Sequence, residues 1–378
     1  MQDVIEENNG CKNDSRDLLP MLWDRWPAVI AFVVVGLLAV VGLDVVIPAS
    51  EEPSLGILSK KIDHLREAHQ NYNVLLIGTS RTYRGIDPIQ LRRVTERQGC
   101  DVRAFNLGVP NLRLTELRHL REHLSPTMLR DFDLILLAPM APSKIAKANW
   151  SSDRIQHFSD WEGYWVSLID IWDTPLSNAV PKQLYYSALL TGAFAYRQLG
   201  FGRLAKGLRG EAPSSVDNRS GDLVDGSAIV DFSRQGYVAL DDEPSQEFID
   251  RGQEIKSNPG HFEMLKTKNM AVNEFRGSAA ERAWQRFANS MEQLAAFDVP
   301  FAMLLPPMLP LRASDQALAE VADAHGLPVL NYNKLDRYPE LFERRNWFDY
   351  YHVDRDGAEL LTNLVGEDIC TTIEYAKR

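Results

Sequence analysis

Two short segments hold residue types able to do acyl chemistry. The first, Ile77-Gly78-Thr79-Ser80-Arg81, closes the apolar run Val74-Leu75-Leu76-Ile77. A small residue followed by serine at a strand-to-helix turn sets the hydroxyl at the carboxyl edge of a parallel sheet, where open α/β folds keep their sites. The second, Trp347-Phe348-Asp349-Tyr350-Tyr351-His352, stands just before the last predicted helix. Its spacing lets the Asp349 carboxylate reach Nδ1 of His352 on the same loop. The other ring nitrogen can then face a serine delivered by the first strand. Nucleophile, base and orienting carboxylate are the parts of a serine triad. Each piece alone is common: Gly-x-Ser after a strand is more often a plain turn, and a loop Asp or His is more often solvated. Their order along the chain carries the information.

That order requires a scaffold of alternating strands and helices. Short continuous apolar runs of the kind buried parallel strands show occur at 74–77, 102–107, 132–137, 301–305 and 328–330. Helical patterns occupy 88–98, 114–124, 279–296, 315–325 and 356–376. The alternation predicts βαβ units and a parallel sheet. Residues 55–70 read as a polar connecting helix with His64 and His69 solvated. Between 143 and 275 the alternation fades, and 209–227 reads as an exposed loop. This stretch is expected as an insertion or lid, with Trp150, Trp161, Trp165 and Trp172 either packed on the core or lining a carbohydrate groove. The expected organisation is therefore a polar tail (1–25), an apolar segment (26–47), a connecting helix (48–72), an α/β core (73–142 and 276–378) and the insertion (143–275).

Composition narrows the class. Of 378 residues, 45% are hydrophobic and 9% aromatic, too rich for a mostly disordered chain. Mean hydropathy of −0.26 excludes a many-pass membrane protein. A formal charge of −11 argues against nucleic acid as a partner. The local exception is residues 26–43, 18 residues without a charge, extended past Asp44 by Val45-Val46-Ile47. At about 1.5 Å per residue the stretch 26–47 is long enough to cross a bilayer core. About 25 polar, mostly acidic residues precede it and no small-x-small cleavage site follows, so an uncleaved single-pass anchor is expected rather than a signal peptide. Lys12, Arg16 and Arg25 on one side balance Lys60, Lys61 and Arg66 on the other, so flanking charge leaves the orientation open. A short N-terminus inside and the large C-terminal domain outside is the commoner arrangement.

The order of these segments resembles the SGNH/GDSL hydrolase superfamily, whose fold is a flavodoxin-like three-layer α/β/α sandwich. Ser80 matches the nucleophile of its first block, with Thr79 where the name-giving Asp usually stands. Phe105-Asn106-Leu107-Gly108-Val109-Pro110-Asn111 looks like the second block, which helps form the oxyanion hole. Gly108 and Asn111 are the candidate donors there, Asn111 standing by position where the donor glycine usually lies. Asn tolerates unusual φ values better than other non-glycines. Asp349 and His352 match the fifth block. The third block departs: Ala138-Pro139-Met140-Ala141 stands where an Asn side-chain amide is usual, and Arg81 or the Asn111 side chain is the candidate substitute. The chain looks most like the membrane-anchored branch that includes alginate-acetylation proteins and the D-alanyl-transfer protein of teichoic acids. The shared features are the anchor, the Gly-Thr-Ser-Arg turn, the Asn-Leu-Gly segment and Leu304-Leu305-Pro306-Pro307. The resemblance implies acyl transfer to, or ester cleavage on, a cell-envelope polysaccharide, outside the membrane and without a cofactor. It also implies a membrane-bound O-acyltransferase as partner and source of the acyl group.

Two other readings compete. His119-Leu120-Arg121-Glu122-His123 matches the inverted zinc-protease pattern, but no third ligand helix is visible and the stretch reads equally as the polar face of a surface helix. A fold that kept its shape and lost its reaction would serve as an envelope glycan-binding or assembly factor. Cys11, Cys100 and Cys370, far apart and odd in number, suggest neither a zinc site nor a disulfide framework, and Cys100 is expected as a thiol beside a strand.

Overall fold

The computed structural model describes residues 35, 56–139, 153–173, 179–198, 230–242, 246–267, 281, 284–285, 287–289, 299–309 and 313–376. Five strands form one parallel sheet: β1 Val74–Ile77, β2 Ala104–Asn106, β3 Leu134–Leu137, β4 Phe301–Leu305 and β5 Val329–Asn331. Their order is β2-β1-β3-β4-β5, so the direction of winding reverses between β1 and β3. The chain is mixed α/β, and each expected strand is present, two with unchanged bounds and three trimmed or shifted by a residue or two.

Alternate strand residues feed two separate cores, as the two-residue period of a strand requires. Leu75, Ile77, Ile135, Leu137, Met303 and Leu305 face one side. Val74, Leu76, Leu134, Leu136, Ala302 and Leu304 face the other. Helices α1 Ile57–Ala68, α4 Leu114–His123 and, later in the chain, α11 Ala313–Ala324 cover the first face. The other is covered by α3 Pro88–Arg97, α9 Gln246–Ser257, α10 Pro259–Thr267 and α12 Arg355–Ala376. A six-residue helix, α2 Ser80–Gly85, follows β1, and α5 Pro126–Leu129 precedes β3. Both faces of the sheet are thus buried, which explains strands that read as unbroken apolar runs.

Helix α1 corrects the expectation of a polar connector. Ile57, Leu58, Lys61, Ile62 and Leu65 recur at helical spacing and are all buried. Lys61 Nζ donates to three backbone carbonyls, Asn106 O at 2.8 Å, Gly108 O at 2.7 Å and Gly236 O at 2.8 Å. Three acceptors match the three N–H donors of an ammonium. The same group lies 4.2 Å from the centre of the Tyr83 ring. Burial, reinforced by the charge of Arg84, lowers the lysine pKa well below its ordinary value. His64 is half-buried rather than solvated, stacked on Phe232 and Phe105 with Nε2 3.0 Å from the Tyr72 hydroxyl. Burial lowers its pKa, against the opposing pull of Glu67. His69 is partly buried, near Leu65 O and Asp131. Replacing Lys61 by Met would leave three buried carbonyls without a donor. At about 1–3 kcal/mol for each such group, Lys61→Met is expected to lower stability by on the order of 3–5 kcal/mol. Denaturant unfolding of both proteins checks this, and a loss under about 1 kcal/mol would mean that water or another donor takes over.

Part of the stretch 143–275 joins the core of the sheet. Residues 230–242 run along the outer edge of β2, where Asn106 N donates to Gln235 O at 2.9 Å. Gly236 (φ 85°) sits so close to Asn106 O that a side chain would collide with it, so only glycine fits this edge. Tyr237 and Ala239 enter one core and Val238 the other, while Arg234 pairs with Asp87 at 2.6 Å. Among the described residues, α6 Asp153–His157, α7 Trp161–Asp173 and α8 Ala179–Gln198 gather around a cluster of their own, centred on Ile155, Ile171, Leu190 and Ala193.

Cysteine usage is also corrected: Cys100 and Cys370 form a disulfide, with Cα atoms 6.1 Å apart. They are separated by 270 residues in the chain and meet because α12 packs tightly on α3. Gly366 allows that approach, since a side chain there would strike Val94. Among the described residues no helix is long and apolar enough to cross a membrane. The stretch 26–47, apart from Val35, lies outside the described residues, as do Cys11, Trp150 and the loop 209–227.

Candidate active site

Ser80 opens α2 directly after β1, at the carboxyl edge of the sheet and at the point where the strand order reverses. Thr79 precedes the helix in extended conformation and its carbonyl accepts from Thr82 N and Tyr83 N at 3.0 Å, closing the turn. A side chain at Gly78 would collide with Thr82 and with the Ala138 methyl, so glycine lets β1 end tightly beside β3.

Asp349 and His352 lie on the loop before α12. That loop is fixed by Trp347 Nε1 donating to Leu341 O at 2.8 Å and Asn346 Nδ2 donating to Glu340 O at 2.7 Å. Asp354, just before α12, accepts from Gly357 N at 2.9 Å and so caps the helix. Within the loop, Asp349 Oδ1 accepts from the amides of Tyr351 and His352 at 2.7 and 2.8 Å. The same carboxylate meets His352 Nδ1 at 2.9 Å, and His352 Nε2 stands 2.8 Å from Ser80 Oγ. Ser80 and His352 are 272 residues apart in sequence. A carboxylate at Nδ1 fixes the proton there and leaves Nε2 as acceptor for the serine hydroxyl. Asp349 is only 3% exposed. Burial alone would raise its pKa, but the His352 charge and hydrogen bond, the Arg251 guanidinium and the Tyr351 amide outweigh that and hold it below its ordinary value. The carboxylate stays ionised, as an orienting group must.

Arg251 was not legible as a site residue. It projects from α9, pairs with Asp349 Oδ2, and brings Nη2 to 3.4 Å from His352 Nδ1. Helix α9 is held on the loop by Gly252 packed beneath the Phe348 ring and by Arg344 Nη1 donating to Lys256 O at 3.1 Å. Next to it, His261 of α10 meets the Tyr350 ring edge-on at 4.7 Å. The Arg251 guanidinium braces the Asp349 carboxylate. Arg251→Ala is expected to cut kcat/KM roughly ten- to a hundredfold through a looser Asp349. Arg251→Lys should restore most of that loss, and an unchanged kcat/KM in Arg251→Ala would mean that the arginine does not position Asp349.

The second-block turn is tied to the first. Val109 N donates to Gly78 O at 2.9 Å and Leu107 N to Leu76 O at 2.8 Å. Asn111 sits in this turn, exposed, with φ 51°, the left-handed conformation expected for it. Gly108 is corrected: its amide already donates to Asn106 Oδ1 at 2.9 Å, so it offers no donor to an oxyanion. The glycine is needed for packing instead, because a side chain would collide with the Tyr83 backbone. Ser80 holds the first position of α2, where helix geometry provides no intrahelical acceptor for the amide. At the third turn the chain leaves β3 through the buried Ala138, which brings a methyl group where a side-chain amide was looked for.

Arg81 lines a small cleft with Arg84, Pro306, Pro307, Tyr351, His352, Val353 and Leu361. Its Nη1 rests 2.9 Å from Met308 Sδ. Arg84 is buried, stacked on Tyr83 at 4.3 Å, with Nη1 3.3 Å from Val238 O. Of the zinc-type pattern, His123 Nδ1 is 2.7 Å from the Arg66 guanidinium, and the side chains of His119 and Glu122 lie outside the described ones. The arrangement can therefore activate a serine hydroxyl beside a cleft lined by arginine, proline and tyrosine. Compared with protein-family models, curated proteins and solved structures, the chain finds no match in any of the three.

Proposed function

We propose that this chain is a membrane-anchored, SGNH-like O-acyltransferase or esterase that acts on a cell-envelope polysaccharide through an acyl-enzyme on Ser80. The observation that carries the reading is the continuous chain from Ser80 Oγ through His352 to Asp349, at 2.8 and 2.9 Å. In the proposed reaction His352 Nε2 takes the Ser80 proton as Oγ attacks the acyl carbonyl. The imidazolium then returns that proton to the leaving oxygen. A sugar hydroxyl, or water, repeats the sequence in reverse and frees the serine. The strand order, with the serine after the first strand, supports the finer fold reading, a flavodoxin-like three-layer α/β/α sandwich of the SGNH type. The Cys100–Cys370 disulfide supports an extracytoplasmic domain, because such bonds persist in oxidising compartments. A membrane-bound O-acyltransferase as the acyl source belongs to the same proposal.

A second reading, a non-catalytic glycan-binding or assembly factor, draws on the thin oxyanion provision: Gly108 N is already committed and residue 138 is alanine. Loss of one such donor costs on the order of 10²–10³ in rate, which slows the reaction without removing nucleophile or base. The two readings separate when full-length protein in detergent is given p-nitrophenyl acetate with and without envelope polysaccharide. The catalytic reading expects a burst of p-nitrophenolate and ester groups on the polysaccharide. Release no faster than from denatured protein favours the non-catalytic one.

A further inference from the structure

Helices α7 and α8 form an antiparallel hairpin. Trp161 meets Phe194 edge-on at 4.8 Å near one end, and Gln183 Nε2 donates to Trp172 O at 3.0 Å near the other. The inner face packs on its own small cluster. The outer face is apolar as well, which a hairpin merely resting on the core would not need. Trp161 (62% exposed), Trp165, Ile169 (59%) and Trp172 recur at i, i+4, i+8 and i+11. At 100° per residue that spacing confines them to an arc of about 80°. Val180, Leu184 and Tyr185 add exposed apolar surface on α8.

We propose that this face lies in the lipid–water interface of the bilayer. Three tryptophans in one uncharged stripe are the side chains favoured at headgroup level, where an apolar ring and a polar N–H are both satisfied. Helix α7 has 13 residues, about 20 Å, too short to span a hydrocarbon core of about 30 Å, so it must lie along the surface. The occupant is also within reach. The apolar stretch 26–47 ends ten residues before Ile57, where α1 begins and is buried in the core. At no more than about 3.6 Å per residue, the tether holds Ile57 within roughly 36 Å of the end of that stretch. This argument of reach rests on the anchor reading of residues 26–47.

The test uses full-length protein carrying Cys11→Ser, in phosphatidylcholine vesicles, with single nitroxide labels at Trp165→Cys, Ile169→Cys, Glu359→Cys and Val35→Cys. Labels at 165 and 169 should collide with dissolved oxygen and lose access to an aqueous nickel chelate, while the label at 359, exposed on α12 in the layer beyond the sheet, keeps that access. Access of 165 and 169 to the chelate, or exclusion of both reagents by covering protein, would overturn the proposal. The label at Val35 reads the anchor separately. Lipid exposure at 35 with water exposure at 165 and 169 rejects docking and leaves the anchor standing. Water exposure at 35 with lipid exposure at 165 and 169 rejects the anchor alone.

Discussion

Ser80→Ala is expected to lower ester turnover by about 10³-fold or more and to abolish covalent capture of the acyl group. Removing the serine of an established triad costs up to about 10⁶ in kcat, and what remains comes from the oxyanion hole and binding. In this chain the oxyanion provision is thinner, because Gly108 N is bonded to Asn106 and Ala138 brings no amide. The starting rate is therefore lower and the measurable drop smaller than in a fully equipped hydrolase. The fold should not notice the change, since Ser80 is only half-buried at the first turn of a six-residue helix. Kinetics with p-nitrophenyl acetate and a thermal melt on the same samples check both halves of the expectation.

Asp349→Asn is expected to have the second largest effect, a loss on the order of 10² in kcat with the loop largely in place, smaller than the roughly 10⁴ of a fully equipped triad because the starting rate is lower. An amide at residue 349 can still accept from the Tyr351 and His352 amides, so the turn is kept. It no longer carries the charge that fixes the Nδ1 proton and stabilises the imidazolium. The substitution also carries a stability signature. Because Asp349 is held below its ordinary pKa of 3.8, its contribution is complete above that unfolded value and fades as pH falls through the lower folded one. The stability difference between the wild-type protein and Asp349→Asn should therefore narrow below about pH 4. A constant difference across acid pH would mean that the carboxylate is not selectively stabilised by its partners.

Much of the scaffold could be read from the sequence because a doubly covered parallel sheet writes itself as short, unbroken apolar runs. Val74–Ile77 and Phe301–Leu305 are such runs, and the structure keeps both boundaries. Ser80, Asp349 and His352 were legible through order alone, each beside an element whose end was predictable. What escaped was set by tertiary contact. Lys61 looked like one charge among many in a polar helix, yet it shares the stripe of Leu58, Ile62 and Leu65, and that position on the apolar face was the available signal. Arg251 lies 98 residues from Asp349 on a helix whose placement no local pattern reveals. The Cys100–Cys370 pairing depends on the approach of two helices 270 residues apart, marked in sequence only by Gly366 on the contact face. The role expected of Gly108 failed for a local reason, the reach of the Asn106 side chain two residues back to its amide.

The most direct measurement is mass spectrometry of the full-length protein after brief acid quench of its reaction with p-nitrophenyl acetate. An acyl-enzyme mechanism predicts one acetyl group on the peptide that carries Ser80, absent from Ser80→Ala and accumulating more slowly in Asp349→Asn. Equal acetylation of wild-type protein and Ser80→Ala, or acetyl groups confined to other residues, would contradict the assignment of Ser80 as nucleophile.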